Sequence, residues 1–124
     1  LGDEDEDVRC AAAEALGKLG DPQAVPALIQ ALGKWDSSVR RAAAAALGKL
    51  GDPQAVPALI HASKDRDPDP RVRAAICRAL GELGDPQAIP RLKKMLKSRY
   101  GVVSAAAQRA IEQINARSAH GSQP

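Results

Sequence analysis

The chain has 124 residues, a net charge of +3, one Trp, one Tyr and no Phe, a length within the usual range of a single domain. So few aromatic and β-branched side chains exclude a sheet sandwich and leave Ala and Leu to pack helices closely together, so the fold is read as all-α. No apolar run approaches the roughly 18 residues of a membrane span, and no basic start followed by an apolar stretch marks a secretory signal, so the chain is read as soluble, cytoplasmic and without a membrane partner.

The opening stretch LGDEDEDVR matches LGKWDSSVR at residues 32 to 40, so residues 1–7 read as a partial repeat and the chain as the C-terminal part of a larger protein. The acidic run DEDED at residues 3 to 7 precedes a helix, where negative charge is favoured. It lacks the Gly and the spaced ligands of a calcium loop.

A helical unit begins at Val8 and recurs at Val39, Val72 and Val103, with spacings of 31, 33 and 31 residues. The stretch ALGKLGDPQAVPALI occurs unchanged at residues 15 to 29 and 46 to 60, and a third version begins at Ala79. An active site is built once from unlike parts, so verbatim repetition predicts a structural unit stacked on copies of itself. In the first helices, apolar residues fall at Val8, Ala11, Ala12, Ala15, Leu16 and Leu19 and at the matching positions of later units, one face of a helix each time. Gly17, Gly48 and Gly81 interrupt these helices where a neighbour is expected to cross closely.

Gly20, Gly51 and Gly84 are placed to end the first helices in a left-handed conformation. Asp21, Asp52 and Asp85 then cap the second helices, and Pro22, Pro53 and Pro86 occupy their first positions, where a missing N–H costs nothing. Pro26, Pro57 and Pro90 lie one turn further in and predict a tight or 3₁₀-like start. The regular second helices are expected to end near Leu32, Ser63 and Lys97. The predicted core includes Val8, Leu16, Leu28, Leu47, Leu59, Leu80 and Leu92. A terminal capping helix is expected over about 102–116 and a flexible polar tail over 117–124, so the array spans 1–116.

Helix pairs with GDP turns, VR openings and a period near 31 resemble the short HEAT-like repeats of phycobilisome lyase subunits. The resemblance covers nearly the whole chain and implies an α-solenoid, a right-handed superhelix of antiparallel helix pairs. It also implies a structural ladder of Arg9, Arg40 and Arg73 with Asp21, Asp52 and Asp85, broken in the fourth unit by Ser104. In the HEAT-like deoxyhypusine hydroxylases, His-Glu pairs near the repeat starts bind iron. Here those positions read VRCAAAEAL, VRRAAAAAL and VRAAICRAL, which do not support that activity.

No catalytic constellation departs from the repeat. His61 matches Gln30 and Lys94 at an exposed position, Glu14 and Glu82 stand alone, and Cys10 and Cys77 read as reduced helical residues roughly 20 Å apart, beyond disulfide reach. No cofactor, metal or small molecule is expected, and the chain is expected to be a non-catalytic scaffold that binds another protein or another domain. The copies diverge at Ala27/Ala58/Arg91, at Gln30/His61/Lys94 and in the loops carrying Trp35, Arg66 and Tyr100. Candidate partner-binding residues are therefore Trp35, His61, Arg66, Arg91, Lys94, Lys97, Arg99 and Tyr100, with Trp35 as an aromatic anchor.

The stretch RLKKMLKSRY at residues 91 to 100 carries five basic residues and no acidic one, which keeps nucleic-acid binding as one alternative and a bilin lyase or isomerase subunit, through the resemblance, as another. Charge is graded along the chain, with balances of −5 over residues 1–38, +2 over 39–71 and +6 over 72–124. Such a gradient orients a partner of opposite polarity.

Overall fold

A computed structural model describes residues 5–34, 36–64 and 69–121, the last three of them by backbone alone. Every regular element among them is helical: α1 (Glu6–Leu19), α2 (Val25–Leu32), α3 (Ser37–Leu50), α4 (Ala55–Lys64), α5 (Pro70–Leu83), α6 (Ile89–Met95) and α7 (Gly101–Gly121). The expected α-solenoid is the observed architecture. Helices α1, α3, α5 and α7 stack in one layer, while α2, α4 and α6 each pack against the next helix of that layer.

The punctuation of the repeat works as its chemistry dictates. Gly20, Gly51 and Gly84 have φ of 70°, 68° and 73°, a region that costs residues with a Cβ about 1 kcal/mol or more. The carboxylates of Asp21, Asp52 and Asp85 then accept the backbone N–H groups of Gln23, Gln54 and Gln87, each at 2.9 Å. Two of the turns that follow, Pro22–Ala24 and Pro86–Ala88, are 3₁₀, because the proline one turn on cannot donate the hydrogen bond that an α-helical start requires.

Small residues set the spacing of the first-helix layer. A Cβ placed on Gly17 would lie 2.9 Å from the Ala46 Cα, and one on Gly81 would lie 2.9 Å from the Ala110 Cα. Side-chain ridges cannot interdigitate at that distance, so the helices touch backbone to methyl. The central helices are consequently enclosed on three sides. Leu28, Leu47, Leu59, Leu80 and Leu92 are fully buried, as expected.

Val8 is a correction. Expected in the core, it is 46% exposed, and Leu19 is 75% exposed. Helix α1 packs on α3 through Arg9, Ala13 and Gly17, so the Val8, Ala11, Ala15 and Leu19 face has no helix against it among the described residues. Leu16 is only half-buried for the same reason. At the other end, α7 continues to Gly121, past the boundary expected at 116. Arg117 donates from Nη1 to the Glu82 carbonyl oxygen at 3.0 Å, tying this extra turn to the end of α5, where backbone carbonyls lack helical partners. No described helix is long and apolar enough to cross a membrane.

Candidate functional site

Among the described residues the repeat departs from its pattern where α4, α5, α6 and the start of α7 meet. Helix α6 places Arg91 and Lys94 three residues apart and hence on one face. The chain leaves α6 in a tight turn, with the Lys97 N–H donating to the Lys94 carbonyl at 3.3 Å and the Ser98 N–H to the Met95 carbonyl at 3.1 Å. That turn carries Lys97 onto the same side and delivers Arg99 and Tyr100 to the mouth of a cleft of about 690 Å³. Met95 and Val103 form its apolar floor.

Position 63 explains how a repeat built on leucine makes room for this cleft. Leu32 and Leu96 stand there in the neighbouring copies, whereas this unit has Ser63, only 2% exposed. A buried hydroxyl must find partners. The Ser63 Oγ donates to the Ile60 carbonyl at 2.6 Å and accepts from the Arg91 Nε at 3.0 Å, while the Arg91 Nη2 donates to the Ser63 carbonyl at 2.9 Å. Arg91 is thus clamped by one edge of its guanidinium, and its charge is held at the cleft wall.

Tyr100 organises the opposite wall. The guanidinium carbons of Arg73 and Arg99 lie 5.3 and 5.2 Å from its ring centroid, and Arg99 also reaches the phenolic oxygen at 3.3 Å. The negative ring face attracts each cation by about 0.5–1 kcal/mol or more, which holds two like charges close together. The Arg73 Nε is buried and meets no hydrogen-bond acceptor among the described residues. Among the described residues no carboxylate lines the cleft. Five cations, a phenol and two hydroxyls make a surface that attracts and orients anions.

Of the residues singled out in the sequence, Arg91, Lys94, Lys97, Arg99 and Tyr100 come together here. His61 is exposed on α4 and stands outside the cleft. Trp35 and Arg66 lie outside the described residues. Asp21, Asp52 and Asp85 serve as helix caps, Arg9 is buried on α1, Arg40 is half-buried on α3, and Arg73 faces Tyr100. Sequence reasoning missed Ser63, and missed Arg73 in this role. The signal for Ser63 was a hydroxyl standing at a leucine position of the repeat.

Neither cysteine offers a ready nucleophile. Cys77 is buried on α5 with its sulfur 3.6 Å from the Met95 sulfur, and burial pushes its thiol up to about 12. Cys10 is raised too, first by burial and then by the negative charges of Asp36, Glu6, Asp7 and Glu14. Among the described residues no group of three His, Cys, Asp or Glu side chains is placed to hold a metal ion.

Solved structures of the same build include the complex of CpcE and CpcF of phycocyanin lyase from Nostoc sp. PCC7120. The match has 36% sequence identity, a TM-score of 0.80, and covers 98% of this chain and 51% of that one. Human deoxyhypusine hydroxylase in complex with glycerol matches at 29% identity with a TM-score of 0.79, over 92% of this chain and 40% of that one. The chain thus spans about half the length of the lyase chain and less of the hydroxylase. No curated protein sequence gives a significant match.

One relative is a lyase complex and the other a hydroxylase, which overturns the expectation of a protein apart from catalysis: arrays of this build occur in enzyme-related proteins. The family model for HEAT repeats matches residues 1–68 and 26–112. With the lyase likeness over nearly its full length, the chain belongs to the HEAT-repeat family and is of the short phycobilisome-lyase repeat type.

Proposed function

We propose that the chain is a protein-binding repeat array of an enzyme-related assembly, holding a partner protein or domain at the cleft between α4, α5, α6 and the start of α7. One observation carries this reading. Positions that diverge between copies, Ala27/Ala58/Arg91 and Gln30/His61/Lys94, bring their third-unit members to one cleft, whereas the helix-packing positions scarcely change. A surface that varies on a constant frame is how repeat arrays acquire partners. The lyase relative is itself a complex of two proteins, CpcE and CpcF. A cytoplasmic setting belongs to this reading.

Proximity labelling in the cells of origin tests it, with the wild-type chain compared against Lys94→Glu/Lys97→Glu and against Lys18→Glu on α1. All three lysines are exposed, so the substitutions leave the core intact. A partner labelled by the wild type and by Lys18→Glu, and lost with the double variant, supports the cleft. Equal labelling by all three refutes it.

The likeness to phycocyanin lyase favours a second reading, a subunit that acts on a bilin chromophore. Mixing the protein with a free bilin, alone and with a second lyase-type subunit, should then shift the visible absorption band. An unchanged spectrum in both mixtures removes this reading.

A further inference from the structure

The cleft specifies the chemistry of what it holds. We infer that its occupant is an extended acidic segment of the partner protein, with carboxylates at alternate positions. This rests on the protein-binding reading above. Arg73, Arg91, Lys94, Lys97 and Arg99 converge with no carboxylate among the described residues lining the cleft. Like charges gathered this way repel, and a counter-anion relieves the repulsion.

Three features make the cleft a prepared anion site rather than a solvated basic surface. Arg91 is fixed by the Ser63 carbonyl and hydroxyl at 2.9 and 3.0 Å. Arg73 and Arg99 are fixed against Tyr100. The buried Arg73 Nε meets no acceptor among the described residues, so no described carboxylate claims that nitrogen. Guanidinium groups ordered beforehand lose little freedom on binding, and their planar forks match carboxylates.

Spacing favours an extended peptide. Arg91 and Lys94 are three residues apart on α6, about 4.5 Å of helix rise, and the turn that ends the helix adds Lys97 to the same side. Carboxylates at alternate positions of an extended chain repeat every ~6.6 Å, a difference that two flexible lysine stems absorb. About five residues of such a segment would pass along the row and bring one carboxylate within reach of the Arg73–Tyr100–Arg99 wall.

Single-stranded nucleic acid fits less well. Its binding sites offer several aromatic faces for successive bases, and here the lone Tyr100 is already occupied by two guanidiniums. The cleft is also local. Its counterparts one and two units back have Ala58 and Ala27 in place of Arg91, and His61 and Gln30 in place of Lys94, so no continuous basic track runs along the second helices.

The test uses a fluorescent eight-residue peptide of alternating glutamate and serine, with fluorescence anisotropy read at about 50 mM and about 500 mM salt. The expected result is binding to the wild type at low salt, weakened about tenfold or more by Lys94→Glu/Lys97→Glu and little changed by Lys18→Glu. Thermal melting confirms that the variants fold. The inference is overturned if an alternating lysine–serine peptide binds equally well, if Lys18→Glu weakens binding as much as the double variant, or if a single-stranded oligonucleotide of equal charge binds more tightly. Should the acidic peptide fail while partner labelling still depends on Lys94 and Lys97, the acidic class is wrong and the docking site stands. Failure of both removes the site itself.

Discussion

Gly48 on α3 lies so close to Ala79 on α5 that a Cβ added to the glycine would sit 3.0 Å from the Ala79 Cα. Nearer still, at 2.9 Å, is the Glu82 Oε1, a side-chain end that can swing aside, but the Ala79 backbone cannot. Gly48→Ala gains about 1 kcal/mol of helix propensity but forces the two helices apart, and overpacking of this kind costs typically 1–3 kcal/mol. The variant should therefore melt at a lower temperature than the wild type. Gly33, with φ of −105° and nothing within 4 Å of an added Cβ, is the control: Gly33→Ala should raise stability by about 0.4–1 kcal/mol.

Burial along the stack sets a second contrast. Leu80 is fully enclosed on α5, between α3 and α7, whereas Leu16 is half-buried on α1. Chemical denaturation should show Leu80→Ala losing about 2–5 kcal/mol. Leu16→Ala should lose about 1 kcal/mol, because less apolar surface leaves water there. Amides of α1 should also exchange with solvent faster than those of α5, since among the described residues one side of α1 has no helix against it.

The helix phase, the glycine ends, the Asp-Pro starts and the close crossings at Gly17, Gly48 and Gly81 were legible because each follows from local chemistry repeated at a fixed period. Val8 was misplaced for the complementary reason. Its position in the repeat is a core position, but burial requires a neighbour on the outer side of α1, and a single helix's pattern does not say whether one is present. The cleft was half legible. Its basic residues stood out by charge, but Ser63 and Arg91 are 28 residues apart, and Tyr100 meets Arg73 only because the turn after α6 brings α7 back beside α5.

The two thiols should separate cleanly. With its pKa pushed up to about 12 by burial, Cys77 carries only about one thiolate in ten thousand at pH 8, and the thiolate is the reactive form. An aromatic disulfide reagent should titrate no more than one thiol in the native protein, the half-buried Cys10, and two in denaturant. Cys10→Ser should leave the native protein unreactive. Rapid reaction of Cys77 in folded Cys10→Ser would show that α5 and α6 open far more readily than their packing implies.

The start of α5 carries an acid-sensitive lock. Asp69 caps it by accepting the Arg71 N–H at 2.9 Å, and its two carboxylate oxygens also accept from Arg71 Nε at 3.2 Å and Nη2 at 3.0 Å. The Arg71 side-chain hydrogen bonds, followed by its backbone N–H, hold the carboxyl at about 2, well below the usual 3.8. Because the folded value lies below the unfolded one, this stabilisation is complete above about pH 5 and is lost as the pH falls toward 2. Asp69→Asn keeps a good cap, since the amide oxygen accepts the same N–H, but removes the titrating group. Between pH 5 and about 2 the wild type should therefore lose more stability than Asp69→Asn, whereas Asp69→Ala should lose about 1 kcal/mol at neutral pH through the cap alone. Denaturation curves for the three proteins across that range check both statements, and parallel pH profiles for wild type and Asp69→Asn would show that the Arg71 pairing adds nothing to the cap.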